Sequence, residues 1–144
     1  TWARRPLVLE SYLNNALALM DACPPQPQQG RQMTTKSFHP NTVTSIQIQP
    51  MMDMGNRVGP DTTRSHINAI FNEPSVVDFH SQIKAPALVF SASHDALVDS
   101  GEAQFIAQSL PDARLVMLDA GHACVWEYPK LIADEMAAWI QNHQ

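Results

Sequence analysis

Asp95 and His122 are the two residues best placed in this sequence to do chemistry together. Each stands just past a short apolar run: Asp95 follows ALVFSA (Ala87–Ala92) within SASHD, and His122 follows RLVML (Arg114–Leu118) within DAGH. A carboxylate that accepts from one imidazole nitrogen holds the ring in a single tautomer and stabilises its protonated form. The histidine can then take a proton from a hydroxyl or thiol nucleophile. Asp99 reads as a helix cap and Asp119 as the end of the second run, so both are weaker candidates for the acid. His94 reads as a solvent-facing neighbour, with substrate contact as the alternative. His39, His66, His80 and His143 show no close ligand spacing, so no metal and no cofactor is expected.

The pair needs two neighbouring parallel strands to bring both side chains to one edge, beyond the carboxyl ends where open parallel sheets bind ligands. The second half of the chain supplies the pattern. Ala87–Ala92 is a continuous apolar run of the kind covered on both faces. Asp99 and Glu102 resemble a capping box, Ala103, Ile106, Ala107 and Leu110 form a helical stripe, and Pro111 stops the helix. RLVML is the second strand. Pro129 suits the first turn of a last helix whose buried stripe is Ile132, Met136, Trp139 and Ile140. Strand, helix, strand, helix with short connections makes a βαβα unit with a right-handed crossover.

The first half is less regular. Pro6 to Met20 places Leu9, Leu13, Ala16, Leu17 and Met20 on one helical face, and Pro24 and Pro25 end that helix by Cys23. Asp21 to Pro40, with Pro24, Pro25, Pro27 and Gly30, reads as an irregular loop. Thr42 to Gln49 (TVTSIQIQ) reads as a short strand or extended connection. Met51, Met52 and Met54 fill a core or line an adaptable pocket. A helix capped by Asp61 or Thr62 runs to about Asn72 with Ile67 and Ile70 turned inward, Pro74 ends it, and Asn72 to Lys84 is a connector. The division is therefore residues 1–80, a mainly helical region, and residues 81–144, the βαβα section.

Composition narrows the classes of function. The 144 residues suit one domain, and 44% hydrophobic content suits a globular one. A net charge of −5 with no basic run argues against a nucleic-acid partner. No apolar run reaches the roughly 18 residues of a membrane span, and no secretory signal opens the chain. Cys23 and Cys124 make neither a disulfide framework nor a zinc pattern, which fits two free thiols in a reducing cytoplasm. The chain opens on Thr1, which fits processing or a piece of something longer.

The segment from Ile83 to Pro129 resembles the C-terminal end of the α/β-hydrolase fold. That family reads Ile-x-x-Pro, an apolar strand, Asp with an apolar pair, a helix ending near Leu-Pro, a second strand, then Gly-His and Glu-x-Pro at the last helix. The chain has Ile83 and Pro86, ALVF, Asp95 before Leu97 and Val98, Leu110-Pro111, RLVML, Gly121-His122, and Glu127-Tyr128-Pro129. The resemblance implies a partial α/β-hydrolase fold, α/β in class, with residues 1–80 in the place of the family's lid. It also implies Asp95 as the acid and His122 as the base of a triad acting on a small-molecule ester or similar acyl bond.

The nucleophile elbow, Gly-x-Ser-x-Gly, is missing: Gly30, Gly55, Gly59, Gly101 and Gly121 take part in no such motif. The oxyanion-hole loop of the family is missing as well. Two parallel strands alone leave unpaired edges that invite another chain. The expectation is a second chain that supplies the nucleophile half, or a homo-oligomer. Three other readings stand beside it. One is an acyltransferase of the homoserine-acetyltransferase type, although that branch has an acidic residue where Ala123 stands. Another is a non-catalytic assembly module that kept the scaffold. The last uses Thr1 as an N-terminal nucleophile.

Overall fold

A computed structural model describes residues 7–21, 27–72, 74 and 76–143. Its centre is a two-stranded sheet. β1 (Ala87–Ala92) and β2 (Ala113–Leu118) pair in parallel, Ala87 opposite Ala113 and Ala92 opposite Leu118. Parallel neighbours need a crossover, and Ser100–Ser109 provides a helical one. Among the described residues four α-helices precede the sheet: α1 (Leu7–Asp21), α2 (Pro27–Thr35), α3 (Ser45–Val58) and α4 (Pro60–Asn72). The crossover is α5. A short α6 (Cys124–Glu127) and α7 (Pro129–Gln141) close the order.

The second half follows its sequence pattern closely, with three corrections. Asp99 caps α5, but its Oδ1 accepts from the amide of Gly101 at 2.7 Å. That bond lies one residue short of box geometry, and Glu102 Oε2 is buried without a partner among the described residues. β1 is fully buried only at Ser91 and Ala92, with Ala87 to Phe90 half-buried. In α7, Ile132 is buried against Ala92, Leu118 and Ala120, whereas Met136 and Ile140 are 49% and 54% exposed. The last two corrections share a cause: the described sheet has two strands, too narrow to be covered along its length or to cover the whole apolar stripe of α7.

The first half departs further from its sequence reading. α2 forms inside the segment expected to be a loop. Pro27 takes the first helical position, where its missing N–H costs nothing, and α2 packs on α1 and α3. The expected extended run at 42–49 is instead the start of α3. Thr44 and Gln47 form a capping box: the Gln47 amide donates to Thr44 Oγ1 at 3.4 Å, and the Thr44 amide donates to Gln47 Oε1 at 2.8 Å. Ile48, Met51 and Met52 then fall on one face and pack, while Met54 is exposed. That packing carries the helix through Pro50, which removes one bond of the ladder. Gly59, at φ 80°, ends α3, and Pro60 opens α4, so Asp61 and Thr62 lie in the first turn and not at the cap. The connector holds a 3-10 turn, Val77–Gln82, pinned by buried His80, whose Nδ1 hydrogen-bonds with Ser109 Oγ at 2.6 Å. Of the α1 stripe, Leu13 is buried and Ala16 and Leu17 pack beside it. Thr1 and Cys23 lie outside the described residues.

Among the described residues three apolar clusters organise the packing. One joins α7 to the sheet through Ile132, Ala92, Leu118 and Ala120. A second gathers Leu13 of α1, Ile67 of α4 and Leu97, two residues beyond Asp95. A third gathers Phe38, Ile48 of α3 and Ala123, the residue after His122. The N-terminal helices therefore rest on the two loops that carry the candidate acid and base.

Candidate active site

The sheet ladder continues into both loops. The Ser93 amide donates to the Leu118 carbonyl and the His94 amide to the Ala120 carbonyl, each at 2.9 Å. Asp95 and His122 thus leave the same edge of the sheet from backbones tied to each other. His122 Nδ1 lies 2.9 Å from Asp95 Oδ2, and the aspartate side chain is 12% exposed against 44% for the histidine.

Asp95 divides its oxygens. Oδ1 accepts from the amides of Leu97 at 2.8 Å and Val98 at 2.9 Å. Oδ2 is left for the imidazole. Burial alone pushes the Asp95 carboxyl upward, but the His122 hydrogen bond, the Val98 and Leu97 amides and the His122 charge outweigh it. The net pKa falls below its ordinary value of 3.8. An ionised carboxylate only accepts, so Nδ1 carries the ring proton and Nε2 carries the lone pair. That is the tautomer a general base needs.

A cleft of about 270 Å³ lies between β1, the start of α5 and this pair, and is lined in part by Phe90, Val98, Ile106 and Cys124. Cys124 is the one thiol there among the described residues. Burial pushes its pKa up from the ordinary 9.0, and the Glu127 and Asp95 charges add to the rise. A thiol held protonated is a poor nucleophile. A larger depression of about 780 Å³ along α7 carries the pairs Arg114–Glu135 and Lys130–Asp134, each at 2.6 Å, whose charges cancel.

The remaining acids and histidines sort as follows. Asp99 is a cap, as its position suggested. Asp119 follows β2 and is 80% exposed, but it is not idle. His94 Nδ1 approaches its Oδ1 at 3.1 Å, His39 Nε2 at 3.6 Å and Ser93 Oγ at 3.4 Å, and the rings of His39 and His94 meet with centroids 4.2 Å apart, tilted by 59°. His94 is thus more engaged than a plain solvent-facing neighbour. His39, His94 and Asp119 each offer an atom within 4.8 Å of the others, a cluster invisible in sequence spacing. Its tautomer opposes cation binding: His39 Nδ1 accepts from the Asn41 amide at 3.1 Å. Nε2 then carries the proton and has no lone pair to give a metal. Tyr128 packs on the α7 cluster, and Trp126 is 39% exposed.

One contact of the His122 loop escaped the sequence reading. Glu127 was visible only as part of Glu-Tyr-Pro at the start of the last helix. In the structure its Oε1 accepts from the amides of Gly121 at 2.7 Å and His39 at 3.1 Å. No local pattern predicts the second bond, because His39 lies 88 positions away.

No family model matches the chain, and no curated protein does. Solved structures do. A thermophilic esterase from Thermogutta terrifontis matches at 19% identity and a TM-score of 0.76, over 96% of this chain and 52% of that one. An α/β-hydrolase enzyme from a Medee basin deep-sea metagenome library matches at 16% identity and a TM-score of 0.73, over 98% and 54%. A hydrolase from Oleispira antarctica matches at 18% identity and a TM-score of 0.72, over 99% and 52%. The chain spans about half the length of each of these structures. Its mixed helices and two-stranded parallel sheet have the fold of the C-terminal part of the α/β-hydrolases.

Proposed function

We propose that Asp95 and His122 are the acid and base of a nucleophile–histidine–aspartate hydrolase acting on an ester or similar acyl bond. The nucleophile comes from polypeptide outside these 144 residues. The observation that carries the reading is the bond of His122 Nδ1 to Asp95 Oδ2 at 2.9 Å, with Oδ1 of the same carboxylate held by two amides. In this mechanism Nε2 takes the proton from a hydroxyl as its oxygen bonds to the acyl carbon. The imidazolium, paired with Asp95, returns that proton to the departing alkoxide. Water then enters by the same proton route, and the acyl group leaves as a carboxylic acid.

Residues 1–80 act as the lid in this reading. α1, α3 and α4 rest on the loops of the pair, and apolar helices there would shape the acyl pocket. The polypeptide that supplies the nucleophile pairs with a sheet edge and covers exposed apolar groups such as Met117, Met136 and Ile140. Hydrolysis is favoured over transfer of the homoserine-acetyltransferase type, because Ala123 is buried among Phe38 and Ile48, where an acid would be stranded. No helix among the described residues is long and apolar enough to cross a membrane. The absence of a disulfide framework supports a cytoplasmic setting.

The test is complementation. The chain is mixed or fused with an α/β-hydrolase half that carries the nucleophile elbow, and turnover of short nitrophenyl esters is followed. Activity should appear with the wild-type chain and vanish with His122→Ala. Full activity in the His122→Ala complex would remove His122 from the mechanism. A stable assembly that never turns over acyl substrates would favour the scaffold reading.

A further inference from the structure

We propose that Glu127 is the positioning residue for His122, fastening the histidine loop to residues 37–39 through one shared carboxylate oxygen. The proposal rests on the reading of His122 as base, but its geometry stands apart from turnover. Oε1 of Glu127 accepts from the amide of Gly121, immediately before His122, at 2.7 Å, and from the amide of His39 at 3.1 Å. One oxygen thus ties two backbones that are far apart in sequence. The remaining contacts converge on the same seam. The Ala123 amide donates to the Ser37 carbonyl at 2.6 Å. Phe38, between the two tied residues, is 2% exposed and packs with Ala123. A Cβ at Gly121 would overlap the Phe38 carbonyl carbon and the His39 nitrogen, so the backbones touch without a side chain between them.

Packing alone does not explain Glu127. Its Oε2 is buried without a partner among the described residues, a costly placement for a carboxylate that only fixed an end of α6. Bonds from two amides to an ionised acceptor are among the stronger neutral-to-charged hydrogen bonds. They offset that cost where the histidine loop meets the segment between α2 and α3. Through this oxygen, the placement of the His122 ring against Asp95 depends on a segment that precedes the sheet. A shift of residues 37–39 is transmitted to the base without any direct contact of those residues with substrate.

The experiment uses the 144-residue chain itself. Amide exchange at Gly121 and His39 and the His122 Nδ1 proton resonance are read by NMR in wild type, Glu127→Ala and Glu127→Gln. Glu127→Ala should speed exchange at both amides by about 10- to 100-fold, the equivalent of losing a charge-assisted bond. The Nδ1 resonance should broaden or vanish. Glu127→Gln keeps a carbonyl oxygen where Oε1 stands and should restore most of both signals. If Glu127→Ala does not fold, Glu127→Asp takes its place. It keeps the charge but cannot span both amides, so at least one should lose protection and the Nδ1 signal should broaden. Wild-type exchange and an unchanged Nδ1 signal in the Ala or Asp variant would overturn the proposal, as would a Gln variant no better than Ala. None of these readouts requires a nucleophile, so a failure of the hydrolase reading leaves them interpretable. In a complemented enzyme Glu127→Ala should also lower kcat by roughly 10- to 100-fold with little change in KM.

Discussion

Ala123, the residue after His122, donates its backbone amide to the carbonyl of Ser37 at 2.6 Å. This bond places the histidine loop directly on the segment between α2 and α3, with the Phe38 ring sealing the contact. Phe38→Ala should therefore cost stability at the site as well as in the core. Burial of this kind is worth about 3–5 kcal/mol on truncation. Thermal unfolding should show the loss, and protection of the Ala123 amide should fall with it. A small change in stability with wild-type protection at Ala123 would show that the seam does not depend on Phe38.

Gly121→Ala tests the close approach from the other side. The added methyl meets backbone atoms of Phe38 and His39, which cannot rotate away as a side chain could. The loops must separate, and the shared Glu127 bonds should lengthen. We expect a destabilisation of about 1–3 kcal/mol, the range for overpacking. A variant as stable as wild type would mean that the loops part without cost. Gly30→Ala, where a Cβ meets nothing within 4 Å, is the control.

These two contacts also mark what the sequence could and could not disclose. ALVFSA and RLVML were legible because a continuous apolar run next to turn residues has few alternatives. Asp95 and His122 were legible because they sit at fixed offsets from those runs. The TVTSIQIQ stretch was misread because its β-branched residues suggested a strand, although Thr44 and Gln47 already stood at capping-box spacing. The Pro- and Gln-rich stretch was misread because α2 depends on packing against α1 and α3, which no local pattern reports. The shared oxygen of Glu127 and the His39–His94–Asp119 cluster each join positions far apart in sequence. Both exist only once the chain is folded.

The capping box gives its own prediction. Thr44→Ala removes the acceptor for the Gln47 amide and one partner of the Gln47 side chain. The cost should be about 1 kcal/mol, the usual loss for an N-cap threonine. Thr44→Ser should keep most of it, and chemical denaturation of the three proteins separates these outcomes.

Acid should weaken the fold through Asp95. Its folded pKa lies below the ordinary 3.8, so it contributes stability above that value and loses it as pH falls through the folded pKa. Wild type should thus lead Asp95→Asn in stability at neutral pH, and the lead should shrink below about pH 4. Parallel stability curves from neutral pH to strong acid would contradict the depressed carboxyl.

Cys124 should be slow to alkylate. Burial and the Glu127 and Asp95 carboxylates keep its thiol protonated, and the thiolate is the reactive form. Iodoacetamide labelling read by peptide mass should show Cys124 lagging behind an unstructured thiol. Glu127→Gln removes one of the charges and should raise the rate. A labelling rate equal to that of a free thiol would show the site to be open and its charge unfelt.

Asp95→Asn offers the sharpest test of the pair, because the split of its oxygens dictates what asparagine must do. The Leu97 and Val98 amides require an acceptor where Oδ1 stands. The asparagine carbonyl therefore takes that place, and its NH2 group faces His122 Nδ1. A donor there forces the neutral ring to accept at Nδ1 and to carry its proton on Nε2. The base then has no lone pair toward the nucleophile. Nitrogen chemical shifts of the His122 ring in the chain alone should report this reversal of tautomer, with the Leu97 and Val98 amides still protected. In a complemented enzyme kcat should fall by roughly ten-thousand-fold, the scale of a wrong-tautomer triad. An unchanged tautomer, or a variant with near wild-type turnover, would show that Asp95 does not orient the ring.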